Sequence, residues 1–458
     1  MSRKKTKVDV VEGAAAADDD RLSALPDDLL HKVMSSLRAW EVARTCVLSR
    51  RWRTLWASAP CIDLRVWCKA RHGRLPRQLA RFANHFLLLR DVSAPLDTLR
   101  LLSSPTRYVP DYSYRPKDYY YDNEEDYSSA DVEMWIRVAV NTGARFIHLA
   151  QHPRDKAFSD LDSVPIISCH LKHLHLSGAT LHDKTLRQLS SQCPSLQVLE
   201  LSKCCMDGPQ ISSASLLSLT MVECRIMADL SVATPNLVSL RCVSPYHRAP
   251  SFENMGSLAR GTIMLNDSFL HDKFEYKCKD INPDVSECDS DSNDDNCDSD
   301  ADNDLTTSEG FYGANVLGGQ NVICSLSNAT SLELIADAGE VILNRELEMC
   351  PIFSNLKALS LGEWCMAADL HPLVLFLQHA PNLERLFLKL KMDHTEEDNI
   401  SPEGSLFACK KLAMVKIKCP KEDERVHVLA QFFVANGIAM EKISFDHRPT
   451  RQTRKSLA

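Results

Sequence analysis

A chain of 458 residues, 44% of them hydrophobic, is long enough for about three ordinary domains, or for one small domain followed by an elongated repeat array. Its formal net charge of −8 is concentrated in one place: residues 284–304, DVSECDSDSNDDNCDSDADND, hold ten acidic residues and no Lys or Arg, and the rest of the chain stands at +2. A general polyanion binder needs a clear basic excess, so nucleic acid is set aside as a partner.

Seventeen cysteines are spread along the chain without a single Cys-x-x-Cys pair. The amino terminus, MSRKKTKVDVVEGAAAADDD, has no apolar core of signal-peptide length, and no stretch reaches the ~20 apolar residues that span a bilayer. These features point to free thiols in a reducing compartment, to the nucleus or cytoplasm, and to no membrane contact. RKKTK at 3–7 reads either as a solvated basic tail or as a nuclear-import patch.

Residues 1–20 are polar and alanine-rich, and disorder is expected there. A compact helical pattern follows over 21–60. LPDDLLHKVMSSL puts Leu29, Leu30, Val33, Met34 and Leu37 on one helical face. Pro26 suits the first helical position, and Asp27 and Asp28 suit the first turn, where the helix dipole favours negative charge. A second short helix fits WEVART, and Ser49 is a candidate N-cap for a third.

The third helix would carry VLSRRWRTLW at 47–56. At 100° per residue, Leu48, Trp52, Leu55 and Trp56 share one apolar stripe, while Arg50 and Arg53 point away. Arginines and tryptophans therefore do not interleave as a base-stacking surface requires, and the Trp face is for packing. Three short helices bury little by themselves, so a partner is expected to complete them.

From residue 61 a unit recurs, apolar-x-x-apolar-x-apolar: LKHLHLSGATL, LQVLELSKCCM, LLSLTMVECRI, LVSLRCVSP, then LKALSLGEW, LERLFLKL and LAMVKIKCP. Its second apolar residues are Leu174, Leu199, Leu219, Leu240, Leu359, Leu386 and Val415, spaced 25, 20 and 21 in the first block and 27 and 29 in the last. Period and pattern indicate a leucine-rich solenoid with one short strand per repeat. Weaker copies begin at Leu96 and Ala329. The fold class is thus α/β: a small three-helix unit, then an irregular solenoid over 61–445 and a tail over 446–458.

Two insertions interrupt the array. Residues 108–127 hold seven of the ten tyrosines and read as a surface loop. Residues 284–304 are expected to be disordered. Within the latter, DSDSNDDNCDSD places Asp294 where a calcium hand needs Gly, so calcium is not expected; Ser286, Ser292 and Ser299 each precede an acidic residue by three and suggest phosphorylation.

The stretch LPDDLLHKVMSSLRAWEVARTCVLSRRWRTLW resembles the F-box, and with IDLR at 62–65 and the repeats behind it the chain resembles the plant F-box/leucine-rich-repeat proteins. LFACKKLAMVKIKC at 406–419 resembles the short C-terminal F-box-associated module of that family. The resemblance implies a substrate-recognition subunit of a Skp–cullin–F-box ubiquitin ligase, not an enzyme: the F-box would bind a Skp-type adaptor, and through it cullin, while the arc would bind an unknown protein target. The alternative is a scaffold or competitor that binds the adaptor without promoting degradation. Leu25 and Pro26 match the family's Leu-Pro. Leu29, Leu30 and Val33 fall on its first helical face, and Trp52 belongs to its LSxxWxxLW phrase. These six are the expected adaptor contacts, with Leu37 and Trp56 assigned to internal packing.

In a leucine-rich unit the residues alternating with the core positions line the concave face. Early in the array these are small or polar, and later they include Arg385, Phe387, Lys389 and Lys416, a basic surface with an aromatic anchor and the expected target contacts. Arg241, Arg260, Arg385, Lys389 and Lys416 come from widely separated repeats and form no evident cation ring, so no phosphate cofactor is expected. His173 and His175 share a strand face without a third ligand, which favours solvated histidines over a metal site. One of Cys204 and Cys205 should fill the buried position of its repeat. No phosphate loop, nucleophile elbow or zinc-protease helix is present in the sequence.

Overall fold

The structure, a computed structural model, describes residues 22, 25–65, 79–102, 128–150, 159–161, 164–265, 319–336, 340–366, 370–390, 407, 409–419 and 425–447. Residues 1–20, both insertions and residues 448–458 lie outside these residues, whereas Asp446 and His447, assigned above to the tail, belong to the last strand of the main sheet.

The amino-terminal unit contains α1 (Asp27–Met34), α2 (Ala39–Arg44) and α3 (Trp52–Leu55), with single 3-10 turns at Thr45–Val47 and Trp56–Ser58. Pro26 occupies the position just before α1 rather than its first residue, and its carbonyl accepts from the Leu29 and Leu30 amides. The Arg38 amide donates to Glu41 Oε2 at 2.9 Å, tying off the start of α2. Helix α3 is only four residues long and opens after Arg51, so Ser49 is not its cap. The projection that put Leu48 in the tryptophan stripe fails for the same reason: no helix runs through it, and Leu48 is 55% exposed.

The solenoid is built on one parallel sheet whose thirteen strands follow chain order. They are β1 (Cys61–Asp63), β2 (Thr98–Leu102), β3 (Phe146–Ala150), β4 (His173–Ser177), β5 (Val198–Ser202), β6 (Ser218–Val222) and β7 (Ser239–Val243). The sheet continues as β8 (Arg260–Leu265), β9 (Ser331–Ala336), β10 (Ala358–Gly362), β11 (Arg385–Lys389), β12 (Met414–Cys419) and β13 (Ile443–His447). The seven core residues read from the sequence fall into a single register column, Leu174–Leu199–Leu219–Leu240 and then Leu359–Leu386–Val415. Ile62, Leu99, Ile147, Leu332 and Ile443 extend the same column, and all twelve are buried. Gly261 is the one gap in it; a Cβ there would stand 2.9 Å from Leu332 Cδ2. Strands β1, β3, β8 and β13 are not among the sequence units, because their phrases depart from the leucine pattern. The segment at 406–419 contributes β12 and continues the main ladder.

Behind the sheet run short strands in two smaller parallel sheets, of four and three strands, and helices such as Asp183–Ser191. Several buried cysteines close this side. The Cys204 thiol donates to the Leu176 carbonyl at 3.4 Å, Cys224 to Leu201 at 3.5 Å, and Cys409 to Leu377 at 2.9 Å. Each reaches back to an earlier coil, filling a small apolar site while satisfying a carbonyl. Burial pushes the thiols of Cys242 and Cys350 up to about 12, so they stay protonated and unreactive. Cys204 is the buried member of its pair and Cys205 is half-buried.

The first residue after four successive strands is left-handed: Gly178 (φ 74°), Lys203 (φ 54°), Glu223 (φ 51°) and Ser244 (φ 49°). Their amides donate to the next strand's end, to Ser202, Val222, Val243 and Met264 respectively, so the turn itself extends the ladder. Only Gly178 adopts this conformation without steric cost. Replacing Ser244→Gly should therefore stabilise the protein by roughly 1 kcal/mol, and Gly178→Ala should destabilise it by a similar amount. Urea titration of the two variants checks both signs.

Candidate functional site

Helix α1 is split lengthwise. Leu30 and Met34 are fully buried with Val42, Trp52 and Leu55. On the opposite side Leu29 (47% exposed) and Val33 (45%) face solvent, next to exposed Pro26, and Val47 and Leu48 are exposed on the turn between α2 and α3. An ion pair between Arg51 and Asp27 and a 3.0 Å hydrogen bond between His31 and Ser58 bind the helix to the α3 segment. Of the six residues expected to meet an adaptor, Pro26, Leu29 and Val33 present themselves and Leu25 is half-buried. Leu30 and Trp52 do not: at 0% and 1% exposure they form the small unit's own core. Helical periodicity gathered one broad apolar face without distinguishing its inward from its outward half.

This unit is not left bare on its other flank. The Trp56 ring packs on Phe86 with centroids 5.2 Å apart, and the Asp91 amide donates to the Ala57 carbonyl at 3.0 Å. Arg90 is buried and donates to the carbonyls of Ala59 and, at 2.9 Å, Pro95. The expected need for a partner is thus met in part by the first repeat, whose strand β1 begins two residues after Ala59. Trp56 and Leu37 pack against the common core.

The open face of the main sheet carries the alternate residues. At its start, five successive strands bring Asp63, Arg100, His148, His175 and Glu200 into one column. Asp63 is buried and held by Arg65, with Arg100 at 3.8 Å. The rings of His148 and His175 lie 4.1 Å apart, His175 Nδ1 is 2.8 Å from Glu200 Oε2, and His173 Nε2 is 3.5 Å from the same oxygen. The two histidines are therefore engaged with a carboxylate, not merely solvated. Burial raises the Glu200 carboxyl, but the hydrogen bond from His175 and the charge of both histidines outweigh it and leave it below its ordinary value. Burial first, then His175, Arg65 and Arg100, hold His148 down to about 4. Among the described residues no cluster of three or more His, Cys, Asp or Glu is placed to hold a metal ion.

The late open face differs from the expected basic surface. Lys389 is paired with Glu333, and Lys416 with Asp446 at 3.0 Å. Phe387 is half-buried beside Lys416 in the register, while exposed Arg385 lies in the neighbouring column beside Met414. Arg241 and Arg260, expected on widely separated repeats, instead lie on the adjacent strands β7 and β8.

A small helical unit with an apolar flank, joined to a parallel-strand solenoid with a polar open face, defines a two-part protein-interaction molecule. The F-box domain family matches residues 22–63, and the leucine-rich repeats of FBD-associated F-box protein At5g56370 match residues 149–264. MEIOTIC F-BOX protein MOF of Oryza sativa subsp. japonica is 26% identical over 90% of this chain and 83% of its own length. F-box/LRR-repeat protein 13 of Arabidopsis thaliana is 24% identical over 95% of this chain and 91% of its own. F-box/FBD/LRR-repeat protein At1g78750 of the same plant is 25% identical over the same shares. The chain thus carries matches to an F-box domain and to FBD-associated leucine-rich repeats, and these relatives are plant F-box proteins with leucine-rich repeats. Its two parts support a substrate-adaptor type of role, the F-box implies a Skp-type adaptor, and proteins of this class are generally non-catalytic.

The neutral His148 gives a pH signature. Its value in the folded chain lies below the 6.5 of an exposed histidine, so between about pH 6.5 and 4 the unfolded chain binds more protons and stability falls as the pH falls. His148→Gln should flatten that loss between about pH 7 and 5. Urea midpoints at each pH measure it, and an unchanged slope would refute the assignment.

Proposed function

We propose that the protein is the substrate-recognition subunit of a Skp–cullin–F-box ubiquitin ligase, with the F-box docked on a Skp-type adaptor and the repeat sheet holding a protein target. The observation that carries this reading is the exposed apolar surface of Pro26 and the outward half of α1, Leu29 and Val33, on a unit whose inner half is already packed. Apolar side chains on the rigid face of a short helix suit a helical partner that covers them. The solenoid then fixes the target relative to the scaffold, and tethering raises the effective concentration of target lysines near a conjugating enzyme supplied by other subunits. None of the thirteen described cysteines is in a disulfide, which accords with the nucleus or cytoplasm as its place of work.

The test is co-purification of the tagged full chain with its adaptor and target. Val33→Asp should abolish adaptor capture while leaving thermal unfolding unchanged, because it alters an exposed site. Trp52→Ala should also lose the adaptor, but through unfolding of the small unit, at a cost of about 3–5 kcal/mol. Targets that stay at constant abundance when residues 21–60 are deleted would favour a scaffold over a ligase receptor. Full adaptor capture by Val33→Asp would refute the docking face.

A further inference from the structure

Four carboxylates stand on the open face of the main sheet, Asp63, Glu200, Glu333 and Asp446, and each is paired with a cation or histidine of the same face. This accounting leaves Arg241, Arg260, Arg385 and Lys418 over, and of these only Arg241 and Arg260 stand close together in the register of adjacent strands. Both are exposed, and neither has a carboxylate within ion-pair distance among the described residues. In the register of β7 and β8, Arg241 faces Thr262 and Arg260 faces Ser239. The two arginines are thus diagonal neighbours, their Cα atoms about 8 Å apart from the strand spacing and the rise per residue. Around them the outward positions are hydroxyl residues: Thr220 beside Arg241, and Ser239 and Ser331 on either side of Arg260. The Thr262 hydroxyl is 3.4 Å from Glu333 Oε2, and that carboxylate is engaged by Lys389 two strands further on.

We infer that Arg241 and Arg260 form the anion-recognition patch of the target site and that their ligand is an extended acidic segment of the target protein. This rests on the reading that the open face holds the target. An extended peptide places side chains two residues apart on one side, about 7 Å from each other, which matches the separation of the two arginines. Each guanidinium offers a planar fork of donors that fits a carboxylate or a phosphate, and the flanking hydroxyls supply further donors. Two solvated guanidiniums held side by side without a counter-ion repel one another, so a dianionic ligand gains from both at once. The patch is far too small for a polynucleotide backbone, which demands an extended basic stripe. The chain's own acidic run, residues 284–304, follows β8 in sequence, so binding is also measured on a chain that lacks it.

The experiment uses the purified full chain and labelled ten-residue peptides read by fluorescence anisotropy: Asp at alternate positions in a Gly-Ser background, the same with phosphoserine in place of Asp, and the same with Asn. Both anionic peptides should bind, the Asn peptide should not, and affinity should fall as salt rises from about 50 to about 300 mM. The stronger of the two anionic peptides identifies whether carboxylate or phosphate is the natural anion. The double variant Arg241→Ala/Arg260→Ala should weaken binding by about tenfold or more, with Arg187→Ala, on the helix behind the sheet, within about twofold of the parent. The series is repeated without residues 284–304, where arginine-dependent binding again supports the patch. Three results overturn it: no anionic peptide bound by either form, equal binding by the double variant, or a single-stranded oligonucleotide bound as tightly as the peptides. Adaptor capture, measured on the same preparations, tests the ligase reading alone, so the failure of one is distinguished from the failure of the other.

Discussion

Everything in this molecule depends on one parallel hydrogen-bonded ladder with an apolar column behind it. A single repeat of some twenty-five residues offers a five-residue strand and a few buried side chains, too little to fold alone; stacked, each coil buries its neighbour's face and the column from Ile62 to Ile443 becomes continuous. Strand pairing also explains why unequal repeat lengths are harmless. Extra residues leave and return at the ends of strands, so Leu265 of β8 still pairs with Ala336 of β9 although the chain between those strands holds the acidic run. The left-handed residues at Lys203, Glu223 and Ser244 have the same origin: their amides are committed to the ladder, and the backbone accepts the strain that glycine at 178 avoids.

The ladder also positions the helical unit. Strand β1 is its first rung, and α1 to α3 sit against that end, anchored by Trp56 on Phe86 and by the buried guanidinium of Arg90. A module this small has two flanks to cover, and the repeat array covers one. The other keeps Leu29, Val33, Val47 and Leu48 in water. Rigid attachment matters for the proposed role, because a receptor that delivers a target must hold its two binding surfaces at a fixed separation.

The sequence was legible where a residue's job is periodic. Leucine spacing located seven rungs and their core residues, since the apolar column tolerates little else. It was silent on β1, β3, β8 and β13, where Ile, Phe or Gly replaces the expected leucines, and the missing β8 hid the adjacency of Arg241 and Arg260. In the helical unit the periodicity of α1 gathered the right residues but could not divide them, because both halves of the helix are apolar and only the neighbouring α3 decides which half is inside. Trp52 illustrates the general difficulty: an aromatic in a recognition motif can belong to the motif by holding up the surface instead of by being the surface.

Open-face electrostatics follow from the same geometry. Strands about 4.8 Å apart bring outward residues of successive repeats within reach of one another, so unlike charges on neighbouring or next-but-one rungs neutralise locally. That is what happens at the start, from Asp63 to Glu200, and again where Glu333 takes Lys389 and Asp446 takes Lys416. The half-exposed pairs among them add little to stability, and all of them leave those stretches electrostatically quiet. A surface of this kind does not attract charged ligands along its whole length; its field arises from the few positions whose register neighbours are neutral. Specificity on a solenoid can therefore be set by the lack of a carboxylate on one rung as effectively as by an arginine on another, and with threonine and serine opposite them Arg241 and Arg260 have no carboxylate directly across the strand pair.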